Sequence, residues 1–424
     1  TKLTIGIVKT KLEEHNILAE AKLNNVEPGN MISFKKLKVE FIRNTHSIAD
    51  SCSLAIFTPV GTILHTGDFK IDYTPIDGER MDLQRISNLG KEGVALLMAD
   101  STNVERNGHS LSEKSIELTF DKAIGKAKGR VIVATFASNI HRMQQIVNAS
   151  VANNRKVIFS GRSMVNISEV AIELGYLNIP EGYKIEIDEL GNYSNEQITI
   201  ITTGSQGEPM AGLARIAFDT HNKIKIANND LFIISASPIP GNDKLISRVI
   251  NQLYKKGADV IYEDLEDVHV SGHAYQEELK LIHSLVHPKY FMPVHGEYRH
   301  LKHHGDLAES LGMEKSNIFI LETGNVLELT ELDSSTYFHN KFVEYFNKYL
   351  NDSKLDVGDD KILNINFEDH IASVSGLDVS TGLFTVKSAD ALIDNFTIRE
   401  RPLMETDYNI ISSLKSIKEQ LKIK

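Results

Sequence analysis

Tryptophan is absent from the 424 residues, and cysteine occurs once, at Cys52. One thiol excludes an internal disulfide and any cysteine-built zinc site, and it suits a reducing compartment, with the cytoplasm as the expectation. Long apolar runs are missing too. Nowhere do about 18 apolar residues stand together, so no segment reads as a membrane-spanning helix and no membrane partner is expected. The opening TKLTIGIVKTKLEEH lacks the apolar stretch and small-residue cleavage site of a signal peptide. Positive charge is in deficit: 46 Lys and Arg face 57 Asp and Glu, for a net charge of -11. That argues against a surface coating nucleic acid wholesale and leaves room for a local positive groove. No P-loop, G-x-G-x-x-G or G-x-S-x-G elbow occurs, which removes support for the nucleotide-binding and serine-hydrolase classes they mark. What remains, 41% hydrophobic and 24% charged, is an ordinary globular composition long enough for two or three domains.

The texture changes along the chain. VEPGNMISF, KVEFIRNTHS and SLAIFTPVGTILHTGDFKID read as short strands joined by turns. From about Glu113, amphipathic helices alternate with compact apolar strands: RVIVATFAS, a helix from Asn139 to Asn153, KVIFSG, ITIITTGSQGEP, DLFIISASPIPGN, a helix around Lys244 to Lys255, and ADVIYEDL. Such alternation predicts parallel strands with crossover helices. Near Ser271 the first texture returns, with a helix from Tyr275 to Leu285, the strand KYFMPVHGE, a helix from Tyr298 to Leu311 and a hairpin over NIFILETGNVLEL. A chain that leaves a β-rich domain, builds an α/β one and comes back carries an insertion. After about Thr330 come an aromatic helix, FHNKFVEYFNKYL, an acidic LDVGDD and weakly patterned strands. Because the chain opens on Thr1 rather than methionine, it is expected to be a piece of a longer protein.

Half of the sixteen histidines fall between His269 and His304. Without cysteine, histidine with carboxylate is the donor set for zinc in a hydrolytic site. Asp68, directly after a glycine at the end of an apolar strand, His46 in NTHSIAD and His295 in MPVHGEYRH occupy three strand exits. Singly, each has a plain alternative, a turn aspartate or a hydrogen-bonded surface histidine; together they point to a metal. His273 in SGHA follows Ser271 and Gly272 just ahead of a helix, a phosphate cradle by type. The loops from Ser235 to Asn242, with Ser235 and Ser237, and from Thr202 to Pro209 follow buried strands, where open sheets bind ligands, although small residues also serve simple turns. His283 and His287 read as helix capping, and His300, His303 and His304 as a solvated helix face from which Arg299 and His300 reach a phosphate. Ser110 reads as an N-cap.

The series THSIAD, HTGDFK, ADSTN, SGHA and MPVHGEYRH, with an α/β insert between ADSTN and SGHA, resembles the metallo-β-lactamase nucleases carrying a β-CASP domain, and within them the bacterial ribonuclease J family. TFASNIHRMQQ, TTGSQGEPMA, SPIPGN and FMPVHGEYRHL extend the likeness from Thr1 to about Glu331. The resemblance implies an α/β fold, a partial αββα metallo-β-lactamase sandwich over 1–112 and 271–332, an inserted β-CASP domain over 113–270, and a C-terminal region of uncertain fold over 333–424. It also implies two zinc ions, with His46 a ligand of one, Asp68 bridging both and His295 on the second. Asp100 would hold a metal-ligating histidine by hydrogen bonding, and His273 would contact the scissile phosphate near the leaving oxygen. Ser235, Ser237, Ser271 and Gly272 would hold the terminal phosphate.

The implied reaction is hydrolysis of RNA, 5′ to 3′ from monophosphorylated ends with endonucleolytic cuts, in RNA decay and processing. The implied partners are RNA and a homo-oligomeric or paralogous subunit. The family's H-x-H-x-D-H motif belongs upstream of TIGIVKTKLEEH, and no H-x-H occurs in the chain. Three donors are too few for two zinc ions, so this polypeptide by itself is expected to bind metal poorly and not to cleave RNA. The alternative is a non-catalytic β-CASP scaffold that binds RNA or a partner nuclease.

Overall fold

The computed structural model describes residues 1–329, apart from 209, 238–241, 264 and 267, and three short strands beyond them. The chain divides into two compact units, Thr1–Ile318 and Phe319–Lys424.

The first unit opens with α1 (Lys2–Glu14), then β1 (Met31–Phe34), β2 (Leu37–Arg43), β3 (Cys52–Thr58) and β4 (Gly61–His65) as an antiparallel meander. Helix α2 (Leu83–Glu92) crosses over to β5 (Leu96–Asp100), which lies parallel to β4. The chain then leaves this sheet and builds another from α3 (Glu117–Lys126), β6 (Val131–Ala134), α4 (Ile140–Ala152), β7 (Lys156–Ser160), α5 (Arg162–Glu173), β8 (Ile198–Thr202), α6 (Gly212–Ala217), β9 (Leu231–Ile234), α7 (Asp243–Lys255) and β10 (Asp259–Ile261). It returns through α8 (Gln276–Val286) to β11 (Tyr290–Val294), parallel to β5, and ends the unit with α9 (Tyr298–Ser310). Strand order is β1-β2-β3-β4-β5-β11 in the first sheet and β10-β9-β6-β8-β7 in the all-parallel second.

Strand composition explains the layering. Strands β6, β8 and β9 are buried along their whole length and β7 at every residue but Lys156, as parallel strands with helices on both faces must be. Side chains alternate between faces, so Val131 and Val133 join a core with α3, α4 and α5, while Ile132 and Ala134 join one with α6 and α7. In the first sheet, Ile42, Ala55, Leu64, Leu97 and Phe291 pack against α2, α8 and α9. Of the layered sandwich, the first unit's described residues thus supply one six-stranded sheet with helices on one face.

The weak apolar pattern of residues 2–14 gave no sign of α1, whose Leu3 is buried in the core shared with α5. The hairpin expected over 317–329 does not form. Ile318 makes an isolated bridge to Phe291 instead, and β12 (Val326–Leu329) pairs antiparallel with β13 (Ser334–Tyr337). Strands β14 (Asn364–Asn366) and β15 (Ser373–Ser375) also pair. The aromatic helix expected over 338–350 and the acidic stretch 355–360 lie outside the described residues.

Candidate functional site

Strands β4, β5 and β11 are neighbours and run parallel, so their C-terminal ends emerge along one sheet edge within about 10 Å. Asp68 lies just past β4, Asp100 ends β5, and His295 immediately follows β11. Two antiparallel steps bring β2 into the direction of β4, and the loop after β2 carries His46 to the same edge.

The Asp68 Oδ2 lies 3.9 Å from His46 Nε2 and 3.7 Å from His295 Nε2. His46 Nδ1 is 2.8 Å from the Gly272 carbonyl, which can only accept, so Nδ1 carries the proton and Nε2 turns its lone pair toward Asp68. A Cβ on Gly272 would stand 2.7 Å from His46 Nδ1 and 2.9 Å from Ser47 Oγ, so this approach requires glycine. Burial, followed by the charge of His273, pushes His46 below the usual histidine range and keeps the ring neutral, as a ligand must be.

His273 is anchored differently. Its Nδ1 donates to Asp100 Oδ2 at 2.7 Å, while Asp100 Oδ1 accepts from the Thr102 amide at 3.0 Å and hydroxyl at 2.7 Å. Burial, the largest influence, acts to raise the Asp100 pKa, yet the bond and charge of His273 and the Thr102 bonds outweigh it and hold Asp100 at about 2. For His273 burial acts downward, and the Asp100 bond and charge override it to raise the imidazole above its ordinary value. The His273 ring centroid lies 5.0 Å from that of His46 and 5.4 Å from that of His295. Asp100 therefore pairs with His273 rather than with His46 or His295.

Imidazole nitrogen and carboxylate oxygen are the donors zinc takes. The side-chain donor atoms of His46, Asp68 and His273 lie within 4.8 Å of one another, as do those of Asp100, His273 and His295. Asp68, with two oxygens between two imidazole donors, suits a bridging carboxylate. His46, Asp68 and His295 fit part of a two-ion shell, and two tetrahedral ions need more donors than these three.

Sequence reasoning passed over the residues that brace this cluster. Asn103 Nδ2 donates to Ser271 Oγ at 2.6 Å and to the His273 carbonyl at 3.2 Å. Asn44 Nδ2 donates to the Thr66 carbonyl at 2.8 Å and the Asp68 carbonyl at 3.3 Å, fixing the turn in which Gly67 takes φ +62. Their positions, two residues before His46 and three after Asp100, were the available signal.

Other expected roles change. Ser235 is buried, donates from Oγ to the Val268 carbonyl at 2.6 Å and accepts from Arg142; this saturates the hydroxyl inside the core and removes it from phosphate binding. The Ser237 carbonyl accepts from Gln206 Nε2 at 2.9 Å, while its hydroxyl is buried without a partner among the described residues. His300 and His304 are not solvated: α9 turns both inward, and only His303 of the three is exposed. Arg299 is engaged by Glu105 and Glu297, so it does not face a free phosphate. Ser112, rather than Ser110, caps the 3-10 turn Glu113–Ile116, while Ser110 Oγ donates to Glu278 at 2.8 Å. His287 terminates α8 in a left-handed conformation, and His283 is buried against Phe291.

Residues 128–253 match the family model described as the ribonuclease J β-CASP domain, and residues 257–321 match that of the Zn-dependent metallo-hydrolase RNA specificity domain. Ribonuclease J of Helicobacter pylori (strain ATCC 700392 / 26695) is 46% identical over 330 residues, which are 78% of this chain and 48% of that protein. Ribonuclease J of Thermus thermophilus is 46% identical over 331 residues, 78% of this chain and 58% of that protein. The chain thus spans about half the length of the curated relatives it matches. A crystal structure of a protein of unknown function from Enterococcus faecalis V583 superposes with a TM-score of 0.52 at 15% identity, over 79% of this chain and 74% of that one, a likeness of fold alone.

Proposed function

The chain belongs to the ribonuclease J family of metallo-β-lactamase nucleases, and we propose that the protein it represents hydrolyses RNA phosphodiesters with zinc, 5′ to 3′ from monophosphorylated ends and with internal cuts. The observation that carries this reading is Asp68 Oδ2 standing between the Nε2 atoms of His46 and His295, beside a His273 held on Asp100 at 2.7 Å.

His46, Asp68 and His295 would hold the metal, with Asp68 shared between two ions. Zinc bound there acidifies water and withdraws charge from phosphoryl oxygens. The chain's own residues do the rest. Asp100 keeps Nδ1 of His273 protonated and raises the pKa of the ring, so Nε2 holds a second proton more firmly than an ordinary histidine does. As water oxygen bonds to phosphorus and the bond from phosphorus to the 3′ oxygen breaks, that oxygen takes the electron pair and the Nε2 proton of His273. The products are a 5′-phosphate and a 3′-hydroxyl. Ser271 and the Gly272 backbone, braced by Asn103, flank the phosphate. Homo-oligomeric or paralogous assembly and a cytoplasmic location complete the reading.

A scaffold role is the second reading, favoured by the count of three donors. The two separate in one experiment: this chain alone, and this chain joined to the family's H-x-H-x-D-H segment, are incubated with zinc and 5′-monophosphorylated RNA. The joined protein is expected to release mononucleotides and to lose this with His273→Ala, whereas the chain alone leaves RNA intact. A joined, zinc-loaded protein that binds RNA without cutting it would decide for the scaffold.

A further inference from the structure

The outer face of α7 has no part in the site described above. Lys244, Ser247, Arg248, Asn251 and Lys255 are all exposed, and their spacing places them on one stripe of the helix. The opposite stripe, Ile246, Val249 and Leu253, is buried. The stripe lines an open groove, bordered on one side by Phe218 at the end of α6. Lys244 and Lys255 are about 16 Å apart along the helix axis.

Three properties of this groove point to its ligand. The first is charge. In a chain with a net charge of -11, the groove walls hold three cations and one acid, Asp243, which sits in the first helical turn where the dipole favours it. None of Lys244, Arg248 and Lys255 has an ion-pair partner among the described residues, whereas the adjacent Lys256 is taken by Asp219. An acidic protein that leaves three neighbouring cations unpaired on one helix face presents a site for a polyanion.

The second property is a flat platform. The Arg248 guanidinium lies over the Phe218 ring, 5.1 Å from its centroid, and Phe218 is 37% exposed although phenylalanine is ordinarily interior. A guanidinium plane backed by an aromatic ring is a surface on which an unpaired base stacks. Ser247, Asn251 and Gln252 add donors and acceptors for sugar and base edges. A purely acidic polypeptide would use the cations and have no need of the ring.

Position is the third. Helix α7 starts where the loop after β9 ends, and Asn242, just before it, donates to Gln206 in the loop after β8. The stripe therefore begins at the strand-end rim of the parallel sheet and runs away from it, so a strand lying in the rim loops continues along α7.

We propose that the α7 face, with Phe218, is a second contact for single-stranded RNA, which holds the backbone on Lys244, Arg248 and Lys255 and stacks a base on the Arg248–Phe218 platform. The inference rests on the RNA reading above and adds to it a contact outside the catalytic cluster.

The test is binding of a labelled, unstructured single-stranded RNA to the full chain by fluorescence anisotropy, in chelator so that no cleavage occurs, across a salt series. The triple variant Lys244→Glu, Arg248→Glu, Lys255→Glu is expected to weaken binding and to reduce the steepness of log K against log salt by about 2, the share of three phosphates on a single strand. Phe218→Leu, which keeps an apolar side chain but removes the ring, and Arg248→Lys, which keeps the charge but removes the plane, are each expected to weaken binding about fivefold. Circular dichroism should be unchanged in all three, and Tm unchanged in the triple variant and in Arg248→Lys, whose altered groups face solvent.

An unchanged salt slope in the triple variant overturns the inference and leaves RNA cleavage, tested separately in the joined protein, untouched. Loss of RNA binding in the triple variant alone, with no effect of Phe218→Leu or Arg248→Lys and with heparin competing as well as RNA, also overturns it, because the face would then take any polyanion, an acidic protein included. If the wild-type chain binds no RNA under any salt condition while the joined protein still cleaves it, this inference falls and the functional reading stands.

Discussion

Gly272 and His46, 226 residues apart in sequence, are joined by a 2.8 Å hydrogen bond from imidazole Nδ1 to the backbone carbonyl. The bond sets the tautomer of His46 and aims its Nε2 at Asp68, so the glycine governs a donor atom without offering one.

Gly272→Ala would push a methyl to 2.7 Å from His46 Nδ1. The ring must swing away, and its bond to the carbonyl goes with it. Zinc affinity of the joined protein is expected to fall about 10- to 100-fold, with a loss of stability of about 1–3 kcal/mol from overpacking. Competition against a chelating dye reads the first and urea unfolding the second; unchanged zinc affinity would mean that His46 is not oriented by this contact.

Glu113 should dominate the acid response. It is buried between Arg142, 2.8 Å away, and Lys70, 3.4 Å away. Burial acts to raise its pKa, but the Arg142 and Lys70 charges and the Arg142 hydrogen bond prevail and hold it at about 2. The folded pKa lies below the unfolded one, so the stabilisation is complete above about pH 4.5 and disappears as pH falls toward 2, amounting to roughly 3 kcal/mol. Urea midpoints measured from pH 6 down to pH 3 should decline in the wild type, whereas Glu113→Gln should be less stable at pH 6 and show a flatter decline.

Ser235 and Ser271 are expected to part company. Ser235→Ala leaves one Arg142 N–H short of an acceptor in the core and the Val268 carbonyl with Arg142 alone, costing about 1–3 kcal/mol. It should leave any preference for 5′-monophosphate ends in the joined protein unaltered. Ser271, part-buried beside His273, should lower that preference when changed to alanine; an unaltered preference there removes Ser271 from contact with substrate.

Asp100→Asn keeps the shape of the residue that bonds His273 but removes its charge. The His273 pKa, raised in the wild type, should fall, and the alkaline limb of a pH–rate profile of the joined protein should move to lower pH. A decrease in kcat of about 10²- to 10⁴-fold with little change in KM is the expected pattern. An unmoved alkaline limb would assign that titration to another group.

Much of the site was visible because Asp68, Asp100 and His295 end or follow apolar strands: β4, β5 and β11 run into ILHTGD, LLMAD and FMPVHG, and such exits stand out in a one-dimensional string. Helix α4 was framed correctly by Asn139 and Asn153, since a side-chain cap and a stop residue are local signals. What stayed hidden depends on partners far away in sequence. Asn103 looks like any polar loop residue until Ser271, 168 positions later, comes to its amide. His300, His303 and His304 alternate with Lys302 in a way that imitates a wet helix face. In the fold, His304 is fully buried, 2.9 Å from Ser101 Oγ and 3.3 Å from His283 Nε2, and burial pushes His283 down to about 4. A run of histidines gave a reason to look for metal, and part of that run is core packing.

The second sheet departs from the first after β5, which ends at Asp100, and the chain comes back beside that residue at His273, whose Nδ1 lies 2.7 Å from Asp100 Oδ2, so both joints of the inserted lobe meet at one pair of side chains. One joint begins with Asp100 and the other holds Ser271 to His273. The hydrogen bond that tunes the imidazole is therefore also the clasp that closes the insertion, while Leu3 and Ala49 in the lobe's core and the Lys70–Glu113 pair seat the lobe beside it.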